Sequence, residues 1–122
     1  MNSPRKPETL AAYETFKQEN TPEERALFNL ADETIVREYD HWVIIHSRFP
    51  YDTMARVNDL LILKRPASRH TDMTDAERDE YETILAELAE SGDYDAIIEN
   101  FTRTKSVPKQ LHMHLICWHL TE

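Results

Sequence analysis

Residues 110–116 read Gln-Leu-His-Met-His-Leu-Ile, with polar and apolar positions alternating at a period of two. That period belongs to a β-strand. On a strand Gln110, His112 and His114 point to one face, successive side chains about 6.5–7 Å apart, while Leu111, Met113 and Leu115 point to the other and can be buried. Two imidazoles facing one site suit phosphorus chemistry. A neutral imidazole is a good nucleophile, and a reference pKa of about 6.5 keeps histidine mostly neutral at physiological pH. His112 can attack a phosphate to give a phosphorus–nitrogen ester that water cleaves later, and His114, one pleat on, can donate a hydrogen bond or proton to the departing group. A His-x-His pair by itself is commonly ordinary strand surface, so the rest of the chain has to support the reading.

Composition removes several alternatives. Gly92 is the single glycine among 122 residues, so neither a Walker loop nor a dinucleotide-binding turn can be built, and no Gly-x-Ser-x-Gly elbow exists. Cys117 is the single cysteine, which rules out an intramolecular disulfide and a cysteine-based zinc site and makes a cytoplasmic location the default expectation. The first residues lack the apolar run of a signal peptide and no segment approaches a membrane span, so no membrane association is expected. The formal net charge of -9 argues against a nucleic acid polymer as partner. Local charge differs: residues 102–109 carry Arg103, Lys105 and Lys109 and no acid directly before the histidine strand, where they can hold a phosphate.

The elements that must position the histidines follow from periodicity and caps. Residues 1–7 are expected to lack fixed structure, with two prolines and no period. Leu10, Tyr13 and Phe16 predict a short helix from Pro7 to Gln18. Thr21-Pro22-Glu23-Glu24 predicts the start of a second, as a capping box with proline at the first helical position. Strands are expected at 33–39 and 41–47 as a half-buried hairpin. The apolar run Leu60-Leu61-Ile62-Leu63 predicts a central strand covered on both faces. Thr74 and Glu77 form a second capping box, followed by Tyr81, Ile84, Leu85 and Leu88 at amphipathic spacing as far as Ser91-Gly92. Strands from Tyr94 to Phe101 and from Leu111 to Leu120 complete an α+β domain with a central, mainly antiparallel sheet and helices packed on it. Residues 1–32 are expected to be an N-terminal helical extension and 33–122 the sheet domain.

Parity puts Trp118 on the His112 face, which makes it a candidate ligand contact, and turns His119 away from both strand histidines. His41, His46 and His70 read as surface or satisfied polar groups.

Several ordered segments, Ile44-Ile45-His46-Ser47-Arg48-Phe49-Pro50-Tyr51-Asp52, Asn58 to Arg65, the capped helix at Thr74, Ser106-Val107-Pro108 and the histidine strand, together resemble the histidine triad (HIT) superfamily of nucleotide hydrolases and transferases over roughly residues 33–119. Gln110 stands in the place of the first triad histidine, Asp59 where many relatives have His, Lys64 where they have Pro, and Ser47 where they have Asn. The resemblance implies a HIT-like fold, a homodimer, His112 as the residue that becomes nucleotidylated, His114 serving the leaving group, Gln110 in the orienting place, and Ser106 contacting the phosphate. The expected substrate-binding set is Ser106, Lys105, Arg103, Asn100, Asp52 and Trp118. The expected function is a nucleotide hydrolase or nucleotidyl transferase acting on a small nucleoside phosphate through a phosphohistidine-type intermediate, with no metal or other cofactor. Two alternatives stand beside it: a nucleotide-binding or interaction module with the same fold and little turnover, and a metal-binding protein using His112, His114 and a carboxylate such as Asp59.

Overall fold

The computed structural model describes residues 3–101 and 107–119. Five strands, β1 (Ile35–Glu38), β2 (Trp42–His46), β3 (Ala55–Leu63), β4 (Ala96–Ile98) and β5 (His112–Trp118), form one antiparallel sheet in the order β1-β2-β3-β5-β4. Two helices accompany it, α1 (Pro7–Glu19) and α2 (Asp75–Ser91). The α+β architecture follows from the pattern: β3 carries the Leu60–Leu63 run and lies in the middle of the sheet.

Each face of the sheet has its own cover. Leu61, Leu63, Met113 and Leu115 point toward α2 and pack with its Ile84 and Leu88. Helix α2 starts where the capping box predicts, Thr74 accepting from the Glu77 N–H at 3.1 Å, and ends at Gly92 with φ 74°, the left-handed conformation that glycine adopts without strain. Arg65 clamps the Glu77 carboxylate through two nitrogens at 2.9 and 2.8 Å. That pairing leads the effects that hold the Glu77 carboxyl down to about 2, against its burial. The opposite face bears Val43, Ile45, Leu60 and Ile62, covered by Phe28 and Leu30. Strand β2 is therefore buried on both sides from Trp42 to Ile45, not half-buried, because the segment before β1 folds back over it.

The N-terminal arm departs from expectation twice. From Ser3 the chain is held: the Thr53 N–H donates to Pro4 O at 2.9 Å, and Arg5 Nε donates to Phe49 O at 2.8 Å. The second helix does not form. Its capping box is made, with Thr21 and Glu24 bonding reciprocally at 2.7 and 3.1 Å, but only turns follow. The Phe28 N–H, which a continuing helix would spend on residue 24, instead donates to Gln110 Oε1 at 2.7 Å. Among the described residues no helix is long and apolar enough to cross a membrane.

Candidate functional site

Strand β5 presents His112 and His114 on the face away from α2, where they line a cavity of about 500 Å³ between the sheet and the N-terminal arm, a size usual for small-molecule sites. Both are deeply set, at 4 % and 5 % exposure, with ring centroids 5.9 Å apart.

Their hydrogen bonds fix complementary tautomers. His112 Nδ1 lies 2.9 Å from the Gln110 carbonyl oxygen, which can only accept, so Nδ1 carries the proton and Nε2 is the basic nitrogen. Around His114 the deciding group is Asn58. Its Oδ1 accepts from the Tyr51 N–H at 2.9 Å and its Nδ2 donates to Asp59 O at 3.0 Å, which orients the amide. Nδ2 is also nearer to His114 Nδ1 (3.2 Å) than Oδ1 is (3.4 Å). The Asn58 amide therefore donates to Nδ1, and the His114 proton sits on Nε2. Burial, followed by the neighbouring His112 and Arg5, pushes the His114 pKa down to about 3, so the ring is neutral at physiological pH. In the neutral rings these bonds put the lone pair of His112, and the N–H of His114, at Nε2.

Aromatic rings hold both imidazoles in place. Tyr51 stacks on His114 with centroids 4.2 Å apart and 17° between planes, and Phe28 meets His112 edge-on at 5.2 Å. The outer wall comes from the arm and the turn after β2. Tyr13 and Phe16 of α1 pack on Phe49 at 5.5 and 5.2 Å, and Arg5, Arg48 and Glu33 also line the cavity. The Glu33 side chain is only 6 % exposed and lies 3.8 Å from Arg48; its burial, partly offset by that arginine, raises its pKa.

Of the expected site residues, His112 and His114 line the cavity and Gln110 lies directly beneath. The Gln110 amide is a tie: Nε2 donates to Leu63 O at 3.0 Å while Oε1 takes the Phe28 N–H. What touches the His112 ring is the Gln110 backbone carbonyl, not its side chain. Three expected substrate contacts stand outside the cavity lining. Asp52 does not line the cavity; its carboxylate accepts from the Lys6 N–H at 2.6 Å and from the Thr9 hydroxyl, capping α1. Asn100 stands one step back and donates to the Tyr51 hydroxyl at 2.7 Å. Trp118 is 44 % exposed at the end of β5, outside the cavity lining. Ser106, Lys105 and Arg103 lie outside the described residues.

Asp59 is on the opposite face, pairing with His46 at 2.6 Å and accepting from the Tyr94 hydroxyl, so it cannot join His112 and His114 in a metal site. No cluster of three or more His, Cys, Asp or Glu side chains suited to a metal occurs among the described residues. Sequence reasoning missed Arg5, Tyr13, Phe16 and Phe28. The helical spacing of Tyr13 and Phe16 predicted a buried face but not which surface it covers, and nothing in the sequence marked Arg5. The sequence matches no family model and no curated protein.

Proposed function

We propose that this chain is a HIT-like domain that hydrolyses or transfers a nucleotidyl group from a small nucleoside phosphate, with His112 as nucleophile. The observation that carries the reading is the pair of complementary tautomers lining one cavity. In the first step the His112 Nε2 lone pair forms a bond to phosphorus while the bond to the leaving group breaks and its electron pair departs with that group. The substituted imidazole is then a cation whose Nδ1–H remains on the Gln110 carbonyl, which stabilises the charge as it develops. His114, neutral at physiological pH, supports the departing charge by donating a hydrogen bond from Nε2 without losing the proton. In the second step water attacks phosphorus, the phosphorus–nitrogen pair returns to Nε2, and the water proton leaves to solvent; another acceptor in place of water makes the reaction a transfer. A leaving group that departs as a phosphate needs no added proton, so dinucleoside polyphosphates fit this arrangement better than substrates with a basic amine leaving group.

A second reading, a nucleotide-binding module with little turnover, is favoured by one feature: both histidines are deeply set between the sheet and the arm, which slows the exit of a product. One experiment separates the two. With a diadenosine polyphosphate, His112→Ala lowers turnover on the order of 10³-fold or more while nucleotide affinity stays within about threefold, because the lost bond is made only in the transition state. Binding by the wild-type protein with no product, and no phosphorus trapped on His112 by mass spectrometry, would favour the module.

A further inference from the structure

Arg5 belongs to no strand or helix and to no part of the chain that carries the family resemblance, yet it lines the histidine cavity. Its guanidinium is held between two rings, with Cζ 4.2 Å from the Tyr13 centroid and 4.8 Å from that of Tyr51. Tyr51 in turn stacks on His114, so the cation and the imidazole share one ring as packing partner. Nε is spent on Phe49 O, which fixes the plane of the group. Among the described residues its terminal nitrogens make no hydrogen bond and no carboxylate lies within ion-pair distance. Of the other two arginines of the cavity, Arg48 faces Glu33 at 3.8 Å, and Arg25, whose Nε likewise donates to a backbone carbonyl, that of Asn20, is not held over a ring among the described residues. A rigid, half-buried guanidinium with both terminal nitrogens available, lining the same cavity as His112 and His114 in a protein of net charge -9, matches the planar donor pair that recognises a phosphate.

We infer that Arg5 is a phosphate-binding residue of this site, supplied to the cavity by the N-terminal arm. The inference rests on the nucleotide reading of the cavity. It implies that the substrate phosphate is recognised from the arm side and that the nucleoside portion contributes separately.

Calorimetry on the full chain tests it with two matched pairs, AMP against adenosine and GMP against guanosine. For whichever monophosphate the wild-type protein binds, Arg5→Gln weakens affinity at least tenfold and lowers its salt dependence, while affinity for the matching nucleoside changes less than twofold. Arg5→Lys, which keeps the charge but not the fork, falls between the two. Equal weakening for monophosphate and nucleoside would mean that Arg5 only anchors the arm and would overturn the inference, as would unchanged monophosphate affinity. Wild-type protein that binds neither monophosphate would bring down the nucleotide reading, and this inference with it, before any variant is compared.

Discussion

Acid exposes the burial of His114. In the unfolded chain this ring has the ordinary value of 6.5, whereas folding lowers it to about 3, burial being the largest cause. The folded protein therefore binds this proton more weakly, and stability is whole above the unfolded value and drains as pH falls through the window from 6.5 toward 3. Within that window the loss approaches about 1.4 kcal/mol per pH unit. Going from about pH 7 to about pH 5 then costs about 2 kcal/mol through His114 alone. Urea denaturation of wild-type and His114→Gln at both pH values isolates the effect, since glutamine can accept from Asn58 but cannot ionise. The wild type should lose about 2 kcal/mol more than the variant between them. Equal losses would show that His114 is not the desolvated base the geometry describes.

Gln110→Ala should destabilise the fold by about 2 kcal/mol, because both the Leu63 carbonyl and the Phe28 N–H lose a buried partner; hydrogen exchange at Phe28 should accelerate, and unchanged exchange would contradict the tie. The Glu77 carboxyl, lowered from 4.5 to about 2 chiefly by Arg65, contributes stability that is present above 4.5 and lost as pH falls toward 2. Arg65→Met should therefore lower stability at neutral pH and make the remaining stability less sensitive below about pH 4.5, as read by acid titration of the circular dichroism signal. Asp52→Asn should loosen α1 by about 1 kcal/mol through its weakened cap, visible as earlier proteolytic cleavage within residues 3–20.

The sheet and α2 were legible because their signals are local. Alternation placed His112 and His114 on one face, the Leu60–Leu63 run gave the central strand, and Thr74 with Glu77 gave the start of α2. The arm was not legible, and the reason is a competition over one donor. Thr21 and Glu24 begin a helix as their types dictate, but the Phe28 N–H finds Gln110, 82 residues away, and no window of sequence contains both. The partners of Asp52 were hidden in the same way, because the Lys6 and Thr9 donors come from a distant part of the chain. The histidine tautomers were equally hidden, since they depend on Asn58 and on the path of the Gln110 backbone.

The place of β5 in the sheet bears on the order in which the molecule assembles. It follows every other strand in the chain, yet it lies between β3 and β4. During synthesis the earlier strands must wait with two open edges, and the Phe28 donor must wait with them, until the histidine strand emerges to pair with β3 and β4 and supply Gln110. Such distant contacts are slow to form and leave strand edges exposed in the interval. The cavity is consequently a late event in folding: no part-made chain holds a half-built site, because the strand that closes the sheet is also the one that brings both imidazoles.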